Sequence, residues 1–170
     1  MRMLSLYSIK GGVGKTASAV NLACEAAACG HRVLLWDLDP QAATTFYLKI
    51  KPKIRGGVEK LVKGKAAFNK VIRSTNVDGL DVLPASLDSR EMDQLLEHHG
   101  SSHLRQILGK VRDEYDLVIL DCPPTLSHMS ENMFTSVDAL LVPVVPSTLS
   151  LRTLEQLETF LDDQDLVCPL

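Results

Sequence analysis

The sequence predicts an α/β fold, a mostly parallel sheet with helices on both faces. Three observations point to it. Short apolar runs alternate with helical stretches along nearly the whole chain, and parallel strands are joined by helical crossovers that lie on the faces of the sheet. The strand-like runs are nearly continuous in Leu, Val and Ile, as strands buried on both faces are. Hydrophobic residues make up 45% of the 170 residues and aromatics only 5%, so the core rests on aliphatic side chains between helices and sheet. A chain of this length buries one sizeable core rather than two, and 1–170 is read as a single domain.

The elements follow in order. Met3 to Ser8 is a buried first strand that runs into glycines. Lys15 to Cys29 is a helix with apolar Ala17, Val20, Leu22, Ala23, Ala26 and Ala27, and Gly30 stands where a helix end favours a left-handed residue. Arg32 to Trp36 is a second strand; Asp37-Leu38-Asp39-Pro40-Gln41 ends it, because Pro40 cannot extend a ladder. The middle is less regular, with short helices at Val58 to Val62 and Ala66 to Ile72 and a strand at Leu80 to Leu83 stopped by Pro84. Amphipathic helices at Ser89 to His98 and Ser102 to Arg112 are separated at Gly100. Tyr115 to Asp121 is the clearest strand, halted by Pro123-Pro124. A helix over Ser130 to Ser136, a strand over Ala139 to Val145 and a helix over Leu149 to Leu161 complete the pattern, and Asp165 to Leu170 reads as the approach to another strand.

Composition narrows the class. No apolar run approaches the ~20 residues that span a bilayer, and the first residues lack a secretory signal's apolar stretch. Cys24, Cys29, Cys122 and Cys168 form no CxxC pair, so the expectation is reduced thiols in a cytoplasmic protein without integral membrane association. Lys49 to Arg73 holds nine Lys or Arg against the single acid Glu59, in a chain of net charge −3. Such a segment is either a solvated connection or a contact for an anionic partner such as DNA.

The chemistry gathers at strand ends, where parallel α/β sheets bind ligands. The first strand delivers a glycine loop, the second Asp37 and Asp39, and a later one Asp121. Gly11, Gly12 and Gly14 let backbone N–H groups turn inward with no Cβ in the way, and the loop opens onto a helix N-terminus, which favours an anion. Lys15 is positioned to reach β- and γ-phosphates, and the Thr16 hydroxyl to ligate Mg²⁺. Magnesium keeps several waters, so Asp121 can act through them. Asp37 and Asp39 have a turn or capping role as the competing reading. His98, His99 and His103 are read as surface residues and not as a metal site.

In the loop, Ile9 replaces the first glycine of GxxxxGK[ST], and a second lysine, Lys10, precedes the glycine pair. Lys10-Gly11-Gly12-Val13-Gly14-Lys15-Thr16 resembles the deviant Walker A loop of the ParA/MinD family of P-loop ATPases, KGGxGK[ST]. The likeness continues through Asp37 to Gln41, through Leu117 to Pro124 and through Leu140 to Pro146, along essentially the whole chain. The resemblance implies ATP and Mg²⁺ as cofactors, with Lys10, Gly11, Gly12, Val13, Gly14, Lys15, Thr16 and Ala17 around the nucleotide. It implies that Lys10 reaches across an ATP-bound homodimer to the partner's phosphates and that Lys15 neutralises charge. Asp39 would position the attacking water, Asp121 would be the Walker B carboxylate, and Thr16, Asp37 and Asp121 would form the metal set. Hydrolysis would be slow and stimulated by a protein partner, in a switch that positions DNA or another cargo.

There are departures. Ala17 lacks the hydroxyl that relatives often carry there, and no cysteine pair matches the iron-protein branch. No C-terminal amphipathic basic helix of the MinD kind is present, and the family's last strands are expected to be missing. Two rivals stay open: a nucleotide-binding scaffold without useful hydrolysis, and an ATP-dependent enzyme that activates a small carboxylic acid.

Overall fold

The computed structural model describes residues 1–51, 60, 63, 68–85, 96 and 103–163. Among them, strands β1 (Arg2–Leu6), β2 (Val33–Asp37), β3 (Arg73–Ser74), β4 (Leu80–Leu83), β5 (Leu117–Asp121) and β6 (Ala139–Leu141) form one sheet in the order β3-β4-β2-β5-β1-β6. Every pairing is parallel except that of β3 with β4. The helices are α1 (Lys15–Ala28), α2 (Ala43–Tyr47), α3 (Phe68–Val71), α4 (His103–Leu108), α5 (His128–Ser136) and α6 (Thr148–Asp163), with a 3₁₀ turn at Gly109–Val111.

Alternation along each strand divides the core in two. Leu4 and Leu6 of β1, Val33 and Leu35 of β2 and Leu117 and Ile119 of β5 pack with Ala19, Ala23 and Ala27 of α1. Met3, Leu34, Trp36, Val118 and Leu120 face the other way, onto Leu104 and Ile107 of α4, Met133 and Phe134 of α5 and Leu157 and Leu161 of α6. The small alanine face of α1 lets that helix lie close on the sheet. On the opposite face, Phe134 meets both Tyr7 and Phe160 edge-on, at centroid distances of 5.0 and 6.2 Å. The expectation of helices on both faces holds because each central strand is apolar on both sides.

Several boundaries differ. The last strand stops at Leu141, short of Val145, because Pro143 has no N–H for a ladder. α5 begins two residues before Ser130: Ser127 and Ser130 form a reciprocal capping box, with the Ser127 N–H donating to Ser130 Oγ at 2.6 Å. The helix expected to run to Arg112 tightens into the 3₁₀ turn at Gly109. α2 and the two-residue β3 were not expected, since neither is long enough to show a period. The helices expected at Val58 to Val62 and Ser89 to His98, and the strand approach after Asp165, lie outside the described residues or nearly so.

The topology positions the site. β5 lies between β2 and β1, with Asp121 level with Asp37 on one side and Leu6 on the other. The three parallel strands therefore discharge their following loops side by side at one edge.

Candidate functional site

The chain leaves β1 through Tyr7 and Ser8 and winds through the glycine loop into α1. Gly12 and Gly14 have φ of +75° and +94°, a left-handed region that a Cβ disfavours. Gly14 is the residue before α1, and no side chain caps the helix. The N–H groups of its first turn have no intrahelical acceptor. A Cβ placed at Gly11, Gly12 or Gly14 would meet nothing within 4 Å, so the loop faces open space. The result is a concave run of donors at the positive end of a helix dipole, suited to an anion.

Lys15 is the buried cation of this cradle, 8% exposed. Its Nζ donates to the Lys10 carbonyl at 3.3 Å. Burial pulls the ammonium below its ordinary pKa, against the opposing fields of Asp121 and Asp39. Thr16 is half-buried beside Asp121, Val13 is half-buried, and Ala17 is exposed.

Asp121 is buried at the end of β5. Its Oδ2 accepts a 2.7 Å hydrogen bond from Thr44 Oγ1 of α2. Its Oδ1 is also buried and has no hydrogen-bond partner among the described residues. Burial raises the carboxyl's pKa, while the Thr44 and Thr16 hydroxyls pull it back. An orphaned carboxylate oxygen is costly unless something cationic completes it. Thr16 and Asp121 thus fit a hard divalent ion that takes a hydroxyl and a carboxylate and keeps its remaining waters. Among the described residues no cluster of three or more His, Cys, Asp or Glu could hold a metal by itself.

Asp37 is brought to the same edge, but its bonds run into the protein. Its Oδ2 accepts from Thr45 N at 2.8 Å and from Thr45 Oγ1 at 2.6 Å, and its Oδ1 from Asp39 N at 3.2 Å. Thr45 Oγ1 in turn accepts from Ala85 N at 2.9 Å, just beyond β4. Burial pushes the Asp37 carboxyl up to about 6 despite these donors. Asp37 therefore ties β2, α2 and the end of β4 together. Asp39 is half-buried; its Oδ1 accepts from Gln41 N at 2.9 Å, and its backbone carbonyl from Ala42 N, where Ala42 turns the chain with φ of +54°.

Lys10 is half-buried, and its Nζ donates to Ser150 Oγ of α6 at 3.3 Å. In the loop after β5, the Thr125 carbonyl accepts from Tyr7 Oη at 3.1 Å and from Ser130 Oγ at 3.0 Å. Cys122 is buried against Ser5 Oγ at 3.2 Å, and burial pushes its thiol up to about 12, which favours the protonated form. Three residues of the site escaped sequence reasoning. Thr44 and Thr45 gave a faint signal as adjacent hydroxyls just after Asp39. Ser150 gave none, standing 140 positions from Lys10.

Of the basic segment, Lys49, Lys51, Lys60, Lys63 and Lys70 are exposed and Arg73 half-buried; Lys53, Arg55 and Lys65 lie outside the described residues, as do His98 and His99. No helix among the described residues is long and apolar enough to cross a membrane.

Comparison with known proteins agrees with this architecture. A family model described as AAA domain (AAA_31) matches residues 1–165. The sporulation initiation inhibitor protein Soj of Bacillus subtilis is 35% identical over 159 residues, covering 92% of this chain and 63% of its own length. The chromosome partitioning protein ParA of Caulobacter vibrioides is 37% identical over 162 residues, covering 92% of this chain and 61% of its own. The chain thus spans less than two thirds of these relatives. Among solved structures, cobyrinic acid a,c-diamide synthase from Mycobacterium smegmatis, with ADP and magnesium bound, superposes with a TM-score of 0.88 at 30% identity, over 99% of this chain and 70% of that one. With a family model matched over nearly the whole chain and relatives of this closeness, the chain belongs to the family described as AAA domain and is a member of the ParA/MinD family of deviant Walker A ATPases.

Proposed function

We propose that this chain binds ATP with Mg²⁺, hydrolyses it slowly, and works as a nucleotide-dependent dimer switch that positions DNA or another cargo in the cytoplasm. The observation that carries the reading is the orphaned, buried Asp121 Oδ1 beside Thr16, at the foot of an open glycine cradle. Relatives named for chromosome partitioning support the cargo part.

Each residue has a physical task. The N–H groups of Gly11 to Gly14 and of the first turn of α1, including Ala17, receive the phosphates. Lys15 exchanges its bond to the Lys10 carbonyl for phosphate oxygens, a charge-assisted and stronger contact. Thr16 and Asp121 would hold the magnesium ion, which would supply neutralising charge to the bound phosphates. Asp39 orients the attacking water. Asp37 supports the metal's surroundings from behind, by fixing the α2 threonine that bonds it and so the neighbouring Thr44. Lys10 extends to the phosphates of a second copy. Val144, Val145, Leu149 and Leu151, between 42% and 57% exposed near Ser150, offer that copy an apolar surface. The exposed lysines from Lys49 onward are the candidate contact for DNA, and a protein partner would accelerate hydrolysis.

Phosphate release and sedimentation with Mg²⁺ and ATP test the reading. Asp39→Ala should keep nucleotide binding and lose hydrolysis on the order of 10²-fold or more. Lys10→Ala should weaken the ATP-dependent dimer. Unchanged turnover in the Asp39 variant removes the assigned catalyst. The likeness to cobyrinic acid a,c-diamide synthase favours one second reading, ATP-driven activation of a small carboxylic acid. Phosphate release that appears only when such an acid is added would select it.

A further inference from the structure

Lys10, given above a role across the dimer, is held within its own subunit. Its Nζ donates to Ser150 Oγ at 3.3 Å, and Ser150 is only 3% exposed. Ser150 Oγ is itself 3.0 Å from Ser147 Oγ, and Ser150 N donates to Ser147 Oγ at 3.3 Å. The Ser150 carbonyl accepts from Thr153 Oγ1 at 2.8 Å. The two hydroxyls are thus fixed by the first turn of α6, with Ser150 presenting a lone pair to the ammonium. Ile9 and Val13 of the glycine loop share a small cavity with Val142, Ser150 and Leu154, so the loop lies against the start of α6.

We propose that Ser150, backed by Ser147, is a resting berth for Lys10: a contact within one subunit that competes with the lysine's reach to a second copy. This rests on the dimer reading of Lys10 given above. The berth is weak by construction. Its acceptor is a neutral hydroxyl, and it places a cation at the N-terminus of a 16-residue helix, the end whose dipole repels positive charge. A phosphate oxygen is anionic and makes a stronger bond to the same ammonium. The lysine therefore stays home when no phosphate is within reach and transfers when a second nucleotide-loaded copy presents one. Ser150 is a positioning residue in this scheme and touches no reacting atom. Its effect is to set the threshold for dimerisation.

Two measurements on the whole chain test the berth. The first needs neither nucleotide nor dimer: acetylation of each lysine by a dilute amine-reactive ester, read by peptide mass spectrometry in nucleotide-free protein with exposed Lys110 as internal reference. Ser150→Ala should raise the Lys10 rate several-fold relative to Lys110, and Ser150→Thr, which keeps the hydroxyl, should restore it. An unchanged Lys10 rate in Ser150→Ala overturns the berth. The second is the protein concentration for half-dimerisation at saturating Mg²⁺ and ATP. One lost hydrogen bond is worth roughly three- to tenfold, and each dimer releases two, so Ser150→Ala should lower that concentration by about ten- to a hundredfold. A dimer no tighter in Ser150→Ala, while Lys10→Ala still weakens it, overturns the competition. A wild type that never dimerises, or a Lys10→Ala variant that dimerises normally, sinks the dimer reading instead; the acetylation result then decides the contact alone.

Discussion

At the scale of single residues the site is built from unequal satisfaction. Asp121 has one oxygen bonded to Thr44 and one with no partner among the described residues, whereas Asp37 has both engaged. The two differ in this way although the sequence presents both as strand-end aspartates. Thr44→Val keeps the shape of the side chain and removes the 2.7 Å hydrogen bond to Asp121 Oδ2, so it should cost about 1–3 kcal/mol of stability in urea unfolding. The loss should shrink when Asp121 is also changed to Asn; an equal loss in both backgrounds would mean that Thr44 acts through packing alone. Thr44 could not be read from the sequence as a partner of Asp121, because the two are 77 positions apart and only the sheet brings them together. Lys15, Thr16 and the glycines were legible, because their chemistry is contained in one contiguous loop whose spacing is its own constraint.

At the scale of elements, boundaries follow from local chemistry and placement from pairing. β2 and β5 are joined at their beginnings by Arg32 and Asp116. Asp116 Oδ2 accepts from Arg32 N and Nε at 2.9 and 3.1 Å, and Oδ1 from Arg32 Nη2 at 2.7 Å. These donors, with the guanidinium's charge, hold the Asp116 carboxyl well below the ordinary carboxylate range. A folded pKa lower than the unfolded one gives stability that is present above about pH 4 and is lost as pH falls through the folded value. Wild type should therefore exceed Asp116→Asn in denaturant unfolding at pH 7, and the gap should close progressively below pH 4. Because the pair is exposed, 1 M salt should narrow the gap as well; a gap indifferent to both acid and salt would refute the electrostatic account. The sequence identified the long elements correctly, since α1 and α6 carry several turns of pattern. It missed α2, whose five residues hold too little of a helical period, and whose place is fixed by Asp37 bonding Thr45.

At the scale of the whole molecule, the sheet order sets both rigidity and function. β2, β5 and β1 are interior strands with cores on both sides, while among the described residues β6 and β3, of three and two residues, are the outermost strands. Amide hydrogen exchange should show the slowest protons in β1, β2 and β5, opening only with global unfolding, and faster local opening in β3 and β6. Comparable protection at β6 would show that this edge is covered. The sequence by itself determined the fold class and the glycine loop that opens onto α1, because apolar continuity and glycine spacing act over short distances along the chain. Only the tertiary structure decided which carboxylate is left unsatisfied, which threonine fastens it, and that Lys10 lies against Ser150. Those facts depend on groups tens to more than a hundred residues apart, whose meeting is set by strand order and burial and leaves no local pattern to read.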